Sequence, residues 1–250
     1  MASRIWVIRH GDRLDFEMGP SAWEKIAQRI NDPPLSELGR LQVSEVGAFI
    51  RGVDPNISRV LTSPFLRCIE TADPIAAQFL GCKISIDDSL FEVVYTTEDF
   101  PSNSDRSRCF SRIDLDYQSE PRPEPNEAFP VGAMARYGEA ARVLAQKFPN
   151  ETIVLCTHAA GVSAIVSCLS GIRVRDLPEI APAAPFCLDR LASGDESSPS
   201  YTLSSGFVGG TSHYSRPPGK TLPWPRASDT SDAWGLAWIE AGDGAPWISP

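Results

Sequence analysis

The chain has 250 residues, 42% of them hydrophobic and 22% charged, which is enough apolar content to bury one good core without needing a second domain. A formal net charge of −9 argues against a nucleic-acid surface and against a membrane-surface patch, since both need a basic face that displaces counterions. Any anion this protein binds must be gripped locally.

The opening MASRIWVIRH has no charged segment followed by a long apolar one, and no apolar run in the chain is long enough to span a bilayer. A soluble, intracellular and cytoplasmic protein is expected. The six cysteines, Cys68, Cys82, Cys109, Cys156, Cys168 and Cys187, form no Cys-x-x-Cys pair and read as reduced core residues.

In chain order, Ser3 to Arg9 reads as a buried strand, β-branched and aromatic, closed by Gly11. A polar loop through Pro33 and Pro34 follows. Ser36 is a candidate N-cap with Glu37 in the first turn, and Leu38, Leu41, Val46, Phe49 and Ile50 recur at helical spacing, which predicts a helix closing near Gly52. Arg59 to Ser63 reads as a second strand. It feeds a helix from Pro64 or Phe65 to Leu80, with Pro64 suited to the first helical position. Lys83 to Asp88 looks like a third strand.

Between Val93 and Phe129 the pattern lapses into polar, Pro-rich text. Because regular pattern resumes on both sides, this insertion at about 93–128 is expected to be a lid or binding loop rather than a linker. A helix from Pro130, a strand ending at His158 and a further helix complete the pattern. The fold class is α/β, a three-layer α/β/α sandwich with a mostly parallel central sheet and an inserted lid region. The predicted division is a domain at 1–208 and an extension at 209–250 rich in Pro, Gly and Trp. That extension carries Trp224, Trp234, Trp238 and Trp247. So much Trp is unusual in disordered text, and packing back onto the domain is the first expectation, with a partner-binding or dimer-forming tail as the sharper alternative.

His10 and His158 each end a buried strand, Arg67 lies in the first turn of a helix after another strand, and Glu92 follows the third. In open α/β sheets the functional crevice lies outside the carboxyl ends of the strands, so these groups can share it. Two histidines, up to three arginines and a carboxylic acid suit a tetrahedral dianion, with planar guanidinium forks for its oxygens and an imidazole for its phosphorus. Guanidinium neighbours also disfavour protonation of an attacking imidazole, which must keep a lone pair. No Asp/Glu/His/Cys cluster with metal-ligand spacing appears, and no metal or other cofactor is expected. Ser63 and Thr157, beside these residues, read as capping or hydrogen-bonding groups. His213 reads as a surface residue without a role.

Arg9-His10-Gly11 after the first strand, LSELGRLQ, SPFLRCIETA, LFE and THAAG, in that order, resemble the histidine phosphatase superfamily, with its phosphoglycerate-mutase-like fold, over roughly residues 3 to 190. RHGDR with SPFLRCIETA is most similar to the small phosphatases related to the Sts and ecdysteroid-phosphate phosphatases and to plant phosphoglycerate-mutase-like proteins. The glycolytic mutases typically continue the first motif with Glu-Ser-x-Trp-Asn, where this chain has Asp12-Arg13-Leu14. The resemblance implies that His10 is a nucleophile forming a phosphohistidine, that Arg9 and Arg67 clamp the phosphate, and that His158 is the second histidine of the pocket. It also implies that Glu92 is the proton donor and that Arg13 joins the pocket. From the residues alone, Arg13 could be a solvated loop cation, and Asp87, Asp88, Glu98 or Asp99 could supply the acid.

The activity implied is metal-free hydrolysis of a small-molecule or protein phosphomonoester. The alternatives are a mutase or sugar bisphosphatase, or a module that binds a phosphorylated ligand without turning it over. Substrate identity and oligomeric state are not legible in the sequence.

Overall fold

A continuous apolar strand with no polar alternation must be covered on both faces, and the first one is. The protein was studied as a computed structural model, which describes residues 3–93, 99–124, 127–191, 201–216, 219–221, 224 and 233–248. Its elements in chain order are β1 (Arg4–Arg9), α1 (Leu14–Met18), α2 (Pro20–Trp23), α3 (Glu37–Val53), β2 (Ile57–Thr62), α4 (Leu66–Ala76), β3 (Lys83–Ile86), α5 (Asn103–Ser107), α6 (Val131–Lys147), β4 (Thr152–Thr157), α7 (Ala159–Ser170), β5 (Pro185–Arg190), β6 (Tyr201–Val208) and α8 (Ala233–Asp243). The sheet runs β3-β2-β4-β1-β5-β6. Its first four strands are parallel, β5 is antiparallel to β1, and β6 is antiparallel to β5.

Alternation along each central strand splits the core into two layers. Ile5 and Val7 of β1 and Ile153 and Leu155 of β4 pack with Tyr137 and Leu144 of α6 and Ile165 of α7. Trp6, Ile8, Val154 and Cys156 point the other way, onto Val43, Val46 and Ile50 of α3 and Ile69 and Ile75 of α4. The result is the three-layer α/β/α arrangement with a mostly parallel sheet that the strand and helix order predicts.

Helix α3 starts where its cap is written: the Ser36 hydroxyl accepts the Gly39 N–H at 3.0 Å, an interaction typically worth about 1 kcal/mol. Helix α4 departs from expectation at both ends. Pro64 is not its first residue, because Phe65 is the N-cap in extended conformation and the buried Asp32 carboxylate accepts the Leu66 N–H at 2.6 Å. The helix closes at Ala76 rather than Leu80. Beyond it the chain tightens into three-residue turns, Gln78 N–H to Ile75 carbonyl and Phe79 N–H to Ala76 carbonyl. These return Phe79 to the core and leave Leu80 fully exposed before Gly81 reverses the chain at φ +74. The third strand stops at Ile86, where Asp87 caps a short turn by accepting the Ser89 N–H.

Within the insertion, Phe100 packs against Phe65 and Phe91, Arg106 donates to the Pro64 carbonyl at 2.6 Å, and Ile113 bridges in parallel to Ile84 of β3. Strands β5 and β6 and helix α8 have no counterpart in the sequence reading. In the extension, Trp238 is buried, donates to the Ser163 hydroxyl at 2.8 Å and stacks on Phe129, while Trp247 donates to Ser167 at 3.2 Å. His213 is not simply at the surface: it is half-buried and stacked on Phe49 with ring centroids 5.1 Å apart. Cys109 is exposed and Cys168 partly so, whereas the other four cysteines are buried; all six are free thiols. Among the described residues, no helix is long and apolar enough to cross a membrane.

Candidate active site

The ladder that joins the parallel strands continues one residue past their ends, and this continuation builds the site. His10 N–H donates to the Thr157 carbonyl at 2.9 Å, and Ser63 N–H to the Cys156 carbonyl at 3.0 Å. His10, Ser63 and His158 therefore emerge side by side at the carboxyl edge of β1, β2 and β4, with the histidine ring centroids 5.6 Å apart. Two glycines permit the close approach behind them. A Cβ on Gly11 would lie 2.8 Å from the Gly39 carbonyl, and one on Gly39 would lie 2.2 Å from the Asp12 carbonyl, both inside van der Waals contact.

His10 is 2% exposed, and its Nδ1 lies 2.8 Å from the Gly11 carbonyl oxygen. A carbonyl can only accept, so Nδ1 carries the hydrogen and Nε2 keeps its lone pair. Burial, reinforced by the Arg67, Arg9, His158 and Arg13 charges, holds this imidazole well below the usual histidine range, so it is neutral at physiological pH.

The three arginines arrive by different routes. Arg9, the last residue of β1, is 7% exposed and donates to the Ile180 carbonyl at 2.6 Å. Burial and the Arg13 and Arg67 charges push it down to about 10, with Glu92 opposing. Arg67, in the first turn of α4, is 2% exposed and stacks over Phe65 at 4.4 Å. It donates to the Asn31 carbonyl at 3.2 Å and to Glu92 at 3.3 Å, while its Nε is buried without a hydrogen-bond partner among the described residues. Arg13 forms a fork with Asp15, at 3.0 and 2.6 Å. Its acidity is raised by burial and by Arg67, so it is not a freely solvated loop cation.

Glu92 Oε2 lies 2.9 Å from His158 Nδ1, and its other oxygen accepts the Val93 N–H at 3.0 Å. Burial opposes ionisation of this carboxyl, but His158, Arg67 and the Val93 N–H together hold it well below the usual carboxylate range. His158 is pushed down to about 4, chiefly by burial and against the pull of Glu92. A neutral His158 that donates Nδ1–H to Glu92 leaves Nε2 to accept the Ser63 hydroxyl at 2.8 Å. The other nearby acids are engaged elsewhere. Asp87 accepts from Tyr117 and Ser89, Asp88 pairs with Arg122, Asp99 is exposed, and Glu98 lies outside the described residues.

His10, Glu92 and His158 offer ligand atoms within 4.8 Å of one another, a metal-sized group that the sequence spacing does not show. The surroundings suit an anion better: a cation there would face Arg9, Arg13 and Arg67 at close range. A cavity of about 230 Å³ opens beside this cluster, lined by Arg13, Arg67 and Glu92 together with Pro20, Trp23 and Ile30. A larger hollow of about 430 Å³ lies at the opposite end of the strands, where Arg4 already pairs with Asp54 and Glu151 accepts the Ser58 hydroxyl.

All six residues singled out in the sequence lie within range of one another's charges, and Arg13, Arg67 and Glu92 among them line the cavity. Ser63, Asp15, Asn31 and Asp32 were not singled out as functional, yet they hold His158, Arg13, Arg67 and the start of α4. Only Ser63, directly before the Pro-Phe-Leu-Arg run, carried a local signal.

A family model described as the histidine phosphatase superfamily, branch 1, matches residues 5–198, and the chain belongs to that superfamily. It is 27% identical over 219 residues to the ecdysteroid-phosphate phosphatase of Bombyx mori, covering 72% of this chain and 32% of that protein. It is 26% identical over 223 residues to the human ubiquitin-associated and SH3 domain-containing protein A, covering 71% and 32%. The chain thus spans about a third of the length of the curated relatives it matches. Among solved structures, the ecdysone phosphate phosphatase of Bombyx mori in complex with tungstate shares the fold with a TM-score of 0.69 at 19% identity, covering 87% of this chain and 97% of that one. A mycobacterial glucosyl-3-phosphoglycerate phosphatase in complex with VO3 does so at 0.53 and 20%, covering 81% and 98%.

Proposed function

We propose that this chain is a metal-independent phosphomonoester hydrolase that works through a phosphohistidine on His10. The observation that carries the reading is the fixed tautomer of His10, a neutral imidazole with Nδ1–H tied to a backbone carbonyl and Nε2 left unprotonated among buried arginines. In the first step Nε2 attacks phosphorus, the ester P–O bond breaks, and Glu92 protonates the departing oxygen. Arg9, Arg13 and Arg67 neutralise the phosphoryl oxygens, the task a magnesium ion performs in many phosphoryl-transfer enzymes. In the second step Glu92 takes a proton from water, which attacks the phosphohistidine and releases inorganic phosphate. Glu92 is ionised in the empty pocket, but a bound phosphate offsets the arginine charges that keep it so. Its proton affinity then rises, and a monoanionic ester supplies the proton.

Pro20, Trp23 and Ile30 at the cavity favour a leaving alcohol with apolar surface, a chemistry consistent with the ecdysteroid phosphate in the name of the silkworm relative. The test is phosphate release from a panel of phosphomonoesters in excess EDTA, with vanadate as inhibitor because it can adopt the trigonal-bipyramidal geometry of in-line transfer. Activity is expected to persist in EDTA and to be lost with vanadate. Loss in EDTA restored by magnesium contradicts the mechanism. Transfer of label to a second hydroxyl instead of water points to a mutase, and tight binding without turnover to a binding module.

The role of Glu92 has its own signature. A general acid contributes on the order of a hundredfold to ten-thousandfold when the leaving group is a strong base, and nitrophenolate leaves without help. Glu92→Gln is therefore expected to depress phosphoenzyme formation strongly with alkyl phosphates and much less with p-nitrophenyl phosphate, as read by rapid quench. Equal losses with both substrates remove Glu92 from that role.

A further inference from the structure

The C-terminal extension reaches the phosphate pocket from outside the elements that build it. Thr221 is 1% exposed. Its N–H donates to Asp12 Oδ1 at 2.7 Å, and its hydroxyl accepts the Arg13 N–H at 2.9 Å. Asp12 is in turn saturated, with its second oxygen accepting the Ser36 hydroxyl at 2.8 Å, its carbonyl accepting the Ser36 N–H, and its own N–H donating to Gln42. One buried carboxylate therefore ties the loop after His10, the cap of α3 and the extension into a single knot. Two residues earlier, Gly219 passes so close that a Cβ there would sit 2.4 Å from the Asp12 carboxyl carbon. Lys220 donates to the Glu17 carbonyl at 2.8 Å. Three residues beyond Thr221, Trp224 makes an antiparallel bridge with Ile180, whose carbonyl accepts from Arg9.

We propose that Gly219–Thr221 is a positioning strap that sets Arg13 in the phosphate pocket, which makes the extension part of the anion-binding apparatus. The physical route is short. Arg13 is the N-cap of α1, and its guanidinium direction is fixed by a fork to Asp15 two residues on. The direction of that fork follows the backbone at Arg13, which Thr221 holds on one side and the Pro34–Leu35 segment on the other. Without the Thr221 hydroxyl, a buried N–H loses its acceptor and the arginine loses its fixed approach to the phosphoryl oxygens.

The proposal rests on the reading that Arg13 contacts phosphate, and a double-mutant cycle separates the two. Competitive inhibition by inorganic phosphate, together with kcat and KM for p-nitrophenyl phosphate, is measured for wild type, Arg13→Ala, Thr221→Val, Thr221→Ser and Arg13→Ala/Thr221→Val. Melting temperatures confirm folding, and Thr221→Ala replaces Thr221→Val should that variant not fold. Arg13→Ala is expected to weaken phosphate binding about tenfold or more, and Thr221→Val about three- to tenfold, the worth of one lost hydrogen bond. Thr221→Ser should restore binding, and Thr221→Val should add less than about twofold once Arg13 is gone. An unchanged phosphate affinity in Arg13→Ala removes the clamp reading and the strap with it. If Arg13→Ala weakens binding while Thr221→Val has no effect, or has the same effect in both backgrounds, Arg13 remains a clamp and the strap is overturned.

Discussion

His10→Ala is expected to abolish phosphomonoester turnover, by a factor on the order of ten-thousandfold or more, because no other group can take over the attacking lone pair. His158, the nearest imidazole, points one nitrogen at Glu92 and the other at Ser63 and has none to offer. Brief reaction of the wild type with labelled substrate, followed by quenching, should trap label that is labile to acid and stable to base, the pattern of a phosphohistidine. Label that survives in His10→Ala would falsify the nucleophile assignment. The substitution should leave the fold intact, since the hydrogen bond of the imidazole goes to the carbonyl of the adjacent Gly11.

The second large effect is expected at Arg67. Its guanidinium meets Glu92, His158 and the Asn31 carbonyl, and its Nε has no hydrogen-bond partner among the described residues. A buried donor left over in this way is suited to an oxygen of the ligand. Arg67→Ala should cost about a hundredfold to a thousandfold in kcat/KM, the scale of losing a group that stabilises transition-state charge. Arg67→Lys should recover little of it, because a point charge on a flexible stem cannot serve a carboxylate and a phosphoryl oxygen at once. Steady-state kinetics with circular dichroism as the folding control decide the matter, and an Arg67→Lys enzyme within threefold of wild type removes the fork from the mechanism.

Much of this pocket was legible because parallel strands advertise themselves. β1 and β4 are buried on both faces, so they read as unbroken apolar runs, and the first charged residues after such runs are the ones the sheet delivers to its carboxyl edge. The antiparallel half was not legible for the converse reason. β5 ends in Asp189 and Arg190, polar residues whose place becomes plain only when Arg4 is seen to pair with Asp189 at 2.6 Å. β6 carries Ser204, Ser205 and Gly206, which locally spell a turn. The residues that hold the candidate catalytic groups were hidden differently. Asp32 caps a helix 34 positions away, and Thr221 reaches Asp12 across 209; no local pattern encodes partners at such separations. The ends of α4 were misplaced because Pro64 offered a helix start and nothing nearby revealed that a distant carboxylate had already capped the next turn.

β3 is the outermost strand on its side of the sheet, and an unpaired strand edge invites other chains to add to it. Here the inserted segment occupies that edge, with the Ile84 N–H donating to the Arg112 carbonyl and the Ile84 carbonyl accepting from Asp114, each at 2.8 Å. The segment that would be the natural candidate for exchange between relatives is thus also a guard against aggregation. Excising it to broaden or narrow substrate choice would bare a template for intermolecular pairing. Selectivity is better altered one side chain at a time, at cavity-lining positions such as Trp23 or Ile30, with the Arg112–Asp114 backbone left in place.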